Sequence, residues 1–386
     1  SFHERPIRRA NPAVPEALAQ VIMRALEYDP DRRFQSALEM KQALMAAMGM
    51  TAAGGRPAPR AEGAGRPRYR VKWTFACEDE IRSRPVWAAG VLFVTAYDHN
   101  LYALDGADGR LLWKFATGGG IGGAAAVAGD RGLGGSTDRR PYALRIADGR
   151  PLWSLEVGGP IYTTPRIAAG LAFFGADDGF FYAVDLESGR VVWRMNLAAP
   201  IRSSAGFHGE TLVVGTEDGG VYALDLRGNL RWQFTARRGV TASPWIDDEM
   251  VVVGSWDWHV YALDPRTGWA IWRFRTGRPV LSSPVVADGI IYVGSADGAL
   301  YALNARTGNP AWRFQAGGQV NAPPSVLGGQ VLVGATDGCL YAIDRRSGTA
   351  LWSFPTEGPI VSAPEVAEGM LYVTSMDRRV YALDLS

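Results

Sequence analysis

Side chains able to bind or transform a ligand are sparse in this chain. Four histidines (His3, His99, His208 and His259) and two cysteines (Cys77 and Cys339) are scattered too widely for metal-ligand spacing or a disulfide framework. Gly118-Gly119-Gly120-Ile121-Gly122-Gly123 satisfies G-x-G-x-x-G. A dinucleotide site needs that turn between a strand and a helix. Here Ala124-Ala125-Ala126-Val127 leads into a strand, so a flexible loop is expected. Asp98, Asp138, Asp178, Asp218, Asp257, Asp297, Asp337 and Asp377 recur at one position. Equivalent carboxylates can hold metal, but all except Asp257 stand before Gly or polar residues in tight turns, where Asp caps backbone amides. Turn chemistry is their expected role.

A better candidate site is the position that varies most among otherwise repeated surroundings. The residue after a recurring Ile or Val is Arg82, Gly122, Tyr162, Arg202, Thr241, Leu281, Asn321 and Val361 in turn. Its neighbours stay near-constant, so packing does not dictate it. Arg82, Tyr162, Arg202 and Asn321 are candidate binding residues for an anionic or polar ligand; solvated loop variation is the equal alternative. Trp256 and Trp258 flank Asp257 in a turn that is polar in most copies. They are candidate contacts for a protein partner, with local packing as the alternative.

The elements that position these residues follow from an internal period. Trp73, Trp113, Trp153, Trp193, Trp232, Trp272, Trp312 and Trp352 are spaced by 40 residues, with a single 39. A Tyr-Ala pair keeps the same period from Tyr102 to Tyr381. Each unit holds four short β-rich runs separated by Gly and Asp turns, which reads as a four-stranded antiparallel meander. One such sheet cannot bury both faces, but sheets repeated around an axis can, so the fold class expected is an all-β, eight-bladed β-propeller. Seven blades are complete between Pro85 and Trp352, and the eighth, Pro364 to Leu385, has three strands. Its outer strand is expected from Tyr69 to Ala76, which carries the orphaned Trp73, so that the propeller's two ends pair and leave no open edge.

Ahead of residues 69–386 lie a two-helix segment, 1–48, and a Gly/Ala/Pro/Arg linker, 49–68, with an r.m.s. reach of about 25 Å. Leu18, Val21, Ile22, Ala25 and Leu26 give residues 15–28 a helical period. A second helix is expected from Ser36, with Glu39 completing a capping box and Gly49 stopping it. The chain has 386 residues, 40 basic and 39 acidic, for a net charge of +1, which argues against a nucleic-acid partner. No run of 18 apolar residues exists, so no membrane-spanning helix is expected. The first residues have neither a signal-peptide core nor an initiator methionine, so the chain reads as part of a longer protein.

The repeat Tyr-Ala-Leu-Asp-x-x-x-Gly-x-x-x-Trp, seen clearly from Tyr261 through Gly268 to Trp272, resembles the tryptophan-docking motif of the quinoprotein (PQQ-like) propellers. The resemblance covers about residues 69–386 and implies that the eight Trp residues are structural, each packing on a Gly turn of a neighbouring blade. A buried Trp removes about 150–250 Å² from water, or ~4–6 kcal/mol before entropy costs, so no cofactor is needed to explain the repeat. Arg145 and Asn304 replace the motif Asp, and the copy at Gly122 lacks the strand proline. Quinoprotein dehydrogenases bind PQQ with calcium, a catalytic carboxylate and often a disulfide between adjacent cysteines. Cys77 and Cys339 are far apart in the sequence and no long capping insertions are present, so PQQ is not expected here.

The segment containing Asn11-Pro12-Ala13-Val14-Pro15-Glu16-Ala17-Leu18, Arg24-Ala25-Leu26 and Asp29-Pro30-Asp31-Arg32-Arg33-Phe34-Gln35-Ser36 resembles the last two helices of a bacterial serine/threonine kinase catalytic domain. The resemblance implies a structural role for Arg33, pairing with a glutamate that would lie upstream of Ser1; an ordinary helical hairpin with a solvated Arg33 is the alternative. The kinase nucleotide loop and catalytic loop are not in this sequence, so no catalytic residue is assigned, and ATP and magnesium belong only to a missing part. The expectation is a cytoplasmic, non-catalytic sensory or scaffolding propeller that binds a small ligand or protein and biases kinase clustering or substrate recruitment through the linker. The alternatives are a stand-alone scaffold resembling the outer-membrane assembly lipoproteins of the same repeat family, and a PQQ-dependent dehydrogenase.

Overall fold

A computed structural model of the chain describes residues 69–385 without a break and, ahead of them, residues 14–27 with 29, 33, 34, 40, 43, 44 and 47. The helix expected from Ser36 falls mostly, and the 49–68 linker wholly, outside the described residues. The chain divides into two compact units, Ser1–Pro59 and Arg60–Ser386.

In the first unit a helix spans Glu16–Ala25. Pro15, at φ −56° and ψ 140°, lies just outside it and accepts the Ala19 amide. Ala19 and Val21 are buried. The helix ends earlier than the 15–28 expected: Leu26 has left helical geometry and is 52% exposed, so it does not join the buried stripe.

The second unit is an eight-bladed β-propeller of four-stranded antiparallel sheets, as the repeat predicts. One blade shows why the sequence folds this way. Its inner strand, Val285–Ala287, is short and half-buried, while Ile290–Gly294 and Ala299–Asn304 lie between neighbouring blades and are buried on both faces. Continuous apolar runs suit those two strands. The outer strand Pro310–Gln315 alternates between solvent and core, turning Trp312 and Phe314 inward. Core clusters fill the wedge between successive blades; Trp352, Phe354 and Leu340 of one blade meet Leu371, Val373 and Tyr381 of the next.

The indoles lock the wedges. Trp232 donates its Nε1–H to the carbonyl of Pro265 at 2.8 Å, across the blade boundary. Gly268, at φ +74°, lies under the same ring, where an added Cβ would stand 2.5 Å from the indole. Only glycine combines that backbone conformation with that closeness. Trp113, Trp153, Trp193, Trp272 and Trp312 make the same bond to the carbonyl 33 residues on. Opposite each of several indoles sits the small Ala of the Tyr-Ala pair, as in Ala262↔Trp272.

The ring closes as the strand count requires. Arg70–Ala76 pairs antiparallel with Arg379–Asp384, placing Trp73 opposite Ala382. Trp73 then donates to the carbonyl of Gly106 in the first blade at 3.1 Å. The leading strand thus completes the eighth sheet and docks it on the first. Around the axis, hydroxyls stitch inner strands together: the Ala124 amide donates to Thr164 Oγ1, Thr164 to Ser204 Oγ, and Ser243 to Ser283 Oγ.

Candidate functional site

The recurring aspartates build one mouth of the ring. Asp138 accepts the Arg140 amide on Oδ1 and the Tyr142 hydroxyl and Gly118 amide on Oδ2, at 2.7–3.0 Å. Asp98, Asp178, Asp257, Asp297 and Asp377 repeat the pattern with their own tyrosines. Their lone pairs satisfy turn amides and buried phenols, which is turn chemistry. Asp218 departs from it, receiving Thr216 Oγ1–H and the Gly220 amide.

These hairpins hold a second ring of side chains beside the variable position. The amide of the residue before each turn Asp donates to the loop that leads into the inner strand: Tyr97 to Glu80, Asp177 to Pro160, Glu217 to Pro200, Trp256 to Gly239. The following Ile or Val is fully buried and donates to the preceding hairpin, as Ile121 does to Ala96 and Ile201 to Ala176. Each variable residue is therefore seated between two hairpins. Tyr97, Asp177 and Glu217 join the mouth although they read as turn residues in the sequence. Their signal is that they too differ from blade to blade.

Three of the four candidate binding residues fall in one neighbourhood. Arg82 pairs with Glu80 at 2.8 Å and stacks over Tyr97 at 4.9 Å. Arg202 pairs with Asp177 at 2.9 Å and Glu217 at 3.0 Å and stacks over Tyr162 at 4.8 Å. Gly122 lies between the tyrosines: a Cβ there would stand 3.1 Å from both the Tyr97 hydroxyl and the Tyr162 ring. The result is an Arg–Tyr–Gly–Tyr–Arg ridge with carboxylates at both ends. Hydrogen bonds to Glu80 and Asp177 hold the Arg82 and Arg202 guanidiniums above their ordinary range. Burial pushes the Tyr97 phenol up, partly offset by Arg82.

Asn321 does not join the ridge. It belongs to a blade four places round from that of Tyr162, where Nδ2 donates to Gln319 Oε1 at 3.1 Å and Oδ1 is buried without a partner among the described residues. Trp256 and Trp258 reach different neighbours. Trp256, 44% exposed, donates Nε1–H to Thr241 Oγ1 at the mouth. Trp258, 38% exposed, lies under Arg275 of the outer strand at 5.7 Å. In the first unit, Arg33 donates Nε–H to the Glu27 carbonyl at 2.7 Å, and Arg24 stacks over Phe34 at 4.4 Å.

Behind the ridge the axis holds a cavity of about 990 Å³ walled by the inner strands of all eight blades. Arg82 and Tyr162 reach its lining; Arg202 and Asn321 do not. Its lining carries one carboxylate, Glu365, which faces Arg84 at 3.6 Å. Among the described residues no three His, Cys, Asp or Glu stand together to hold a metal ion, and Cys77 and Cys339 are both free thiols. A calcium–quinone pair would find a single carboxylate, Glu365, in the axial lining, a donor set that does not fit it. No helix among the described residues is long and apolar enough to cross a membrane.

A family model described as "Outer membrane protein assembly factor BamB" matches the repeats in overlapping segments from residue 68 to residue 386. No curated protein matches the sequence. Among solved structures, BamB from Moraxella catarrhalis is similar with a TM-score of 0.72 at 18% identity, over 82% of this chain and 99% of that one. The computationally designed Ika8 protein has the same TM-score and identity, over 81% of this chain and 99% of its own. A quinohemoprotein alcohol dehydrogenase, ADHIIG from Pseudomonas putida HK5, reaches 0.72 at 15% identity, over 87% of this chain and 79% of that one. At these identities the likeness is one of fold.

Proposed function

Since the chain belongs to the PQQ_2 family, the one described by outer membrane protein assembly factor BamB, we propose that its propeller is a non-catalytic binding module whose ligand or protein partner engages the Arg82–Tyr97–Tyr162–Arg202 mouth. The observation that carries this reading is the contrast within the repeat. The wedge residues and turn aspartates recur from blade to blade, whereas the mouth gathers cationic, aromatic and acidic groups on neighbouring blades only. Stacked Arg–Tyr pairs offer planar, charged surfaces that suit recognition of polar or anionic groups.

The module is proposed to work in cis with a serine/threonine kinase domain on the cytoplasmic side. Support comes from the Asp29-to-Phe34 string and from the helix at Glu16–Ala25. The test uses the full-length natural protein: ATP-dependent phosphate transfer, measured with wild type and with Tyr97→Ala/Tyr162→Ala. Transfer that changes with the mouth variant supports both halves. Absence of ATP binding removes the kinase half, and transfer indifferent to the variant removes the regulatory role of the mouth.

The family description favours a second reading, a scaffold that engages proteins destined for an outer membrane. It requires the native protein to lie on the far side of the inner membrane. Protease accessibility in intact and permeabilised cells separates the two: protection that survives removal of the outer membrane excludes the scaffold.

A further inference from the structure

In three of the eight blades a hydroxyl just ahead of the inner strand ties it to the preceding blade; Ala124, Pro323 and Ala363 stand there in others, and only the first blade puts a charge at that place. Two residues before the first residue of each inner strand stands a position occupied by Thr164, Ser204 and Ser283 in three blades, where the hydroxyl accepts the amide of the preceding blade. At the same position the first blade carries Arg84, which makes no hydrogen bond among the described residues and meets only Glu365 at 3.6 Å. The strand's first residue, on the same face by the period of two, is Val86, Ala126 or Val285 in ordinary blades and Arg166, Trp245, Ser325 and Glu365 in others. Arg84, Arg166, Trp245, Ser325 and Glu365 all line the axial cavity.

The charges there do not balance. Glu365 is half-buried and its carboxyl is raised by burial, an effect that Arg84 only partly opposes. Arg166 has no carboxylate within ion-pair distance among the described residues; its one hydrogen bond runs from Nε to the Ala205 carbonyl at 3.3 Å. Arg166 is exposed to the water of the channel while the inner strands crowd around it. Burial, and then Arg84, pulls its guanidinium below the ordinary arginine range. Arg82 of the lining is paired with Glu80, so Arg84 and Arg166 against the single carboxylate of Glu365 leave a net positive charge in the channel, where low-dielectric walls focus the field. Both side chains are exposed to channel water, Arg84 by 52%, so an entering anion can reach their N–H donors.

We infer that the axial cavity is a binding site for a small oxyanion of two or more charges, carrying carboxylate or phosphate groups, which bridges Arg84 and Arg166 with the Trp245 indole as an apolar wall. An anion there relieves the repulsion between the guanidiniums and gives each the bidentate acceptor its geometry matches. Volume is not limiting: about 990 Å³ accommodates a di- or tricarboxylate with its hydration water. Arg82 and Tyr162 of the mouth reach the same lining, but an anion held between Arg84 and Arg166 needs neither a protein partner nor a kinase.

Calorimetric titration of the chain with citrate in one arm and inorganic phosphate in the other, at fixed ionic strength, tests the site. Saturable binding of at least one is expected, and which arm binds identifies the source of the charge. Arg166→Gln should weaken that binding about ten- to a hundredfold, as loss of charge-assisted hydrogen bonds does. Glu365→Gln frees Arg84 and should tighten it, whereas Arg313→Gln on an outer strand, away from the cavity lining, should leave it within about twofold. Glu365→Gln moves affinity opposite to Arg166→Gln, so general unfolding cannot imitate the pair. Absence of saturable binding in both arms, or affinity unchanged by Arg166→Gln in a folded protein, overturns the site.

Discussion

Trp352 donates its Nε1–H to the side chain of Gln330, at 3.2 Å on Oε1. Its counterparts from Trp73 to Trp312 all donate to a backbone carbonyl 33 residues further on. Trp352 lies at the boundary with the blade that the leading strand completes, and Tyr69 packs on it at 5.3 Å. The last docking contact before the closure therefore depends on a side chain and on a residue just ahead of the closing strand.

That dependence makes the seam separable from the rest of the ring. Gln330→Ala should cost about 1 kcal/mol, the net worth of one hydrogen bond. Trp232→Ala, which empties a wedge, should cost about 3–5 kcal/mol. Both are read from urea unfolding. Equal losses would mean that the Trp352 bond contributes no less than a whole indole, and the separation drawn here would be wrong.

The glycine beneath each indole carries two constraints that substitution can divide. Gly268 has φ +74° with the Trp232 ring 2.5 Å from a built Cβ; Gly289 has φ +73° with nothing within 4 Å. Gly289→Ala should cost about 1–2 kcal/mol, the left-handed backbone penalty alone. Gly268→Ala adds about 1–3 kcal/mol of overpacking against the indole. If the two variants melt alike, the docking contact is looser than its geometry indicates.

The tyrosine–aspartate pairs set an alkaline limit. Burial, followed by the hydrogen bonds to Asp138 and Asp178, pushes the Tyr142 and Tyr182 phenols up to about 12. In an unfolded chain a tyrosine ionises near about 10. The fold thus favours the neutral phenol. Its contribution is complete below pH ~10, declines as pH rises towards ~12, and is gone above that. Tyr142→Phe/Tyr182→Phe should be less stable than wild type near neutrality and lose less stability on alkaline titration. Parallel pH profiles for the two proteins would assign the alkaline loss elsewhere.

The blades were legible because their residues do one job eight times. Trp, Gly and the Tyr-Ala pair recur wherever a wedge must close, so their spacing carries the fold and even the closing strand. The mouth was half legible. Arg82, Tyr162 and Arg202 stand out because nothing in the packing requires them, but Tyr97, Asp177 and Glu217 are in hairpin turns, where any polar or aromatic residue looks ordinary. Asn321 shares the repeat position and not the neighbourhood, because equivalent positions on a ring can face each other across its axis. Arg84, Arg166 and Glu365 carry no signal of their own, since an inner strand of two or three residues is too short to show which face is lined by water and which by core.

Trp258 combines a cost with an exposed surface. It has φ +74°, as do His99, Arg139 and Arg378 within a few degrees, at a hairpin position where Gly179, Gly219, Gly298 and Gly338 serve in other blades. A bulky aromatic in that conformation is strained. Its ring stays 38% exposed, and the stacking with Arg275 at 5.7 Å is a surface contact of modest worth. Trp258→Gly should therefore raise stability by up to about 1 kcal/mol, measured by thermal and urea unfolding. A strained, exposed indole that stability does not need fits a partner contact, and the same variant should weaken partner binding while the fold improves. A loss of stability on Trp258→Gly would show instead that the ring is held for packing.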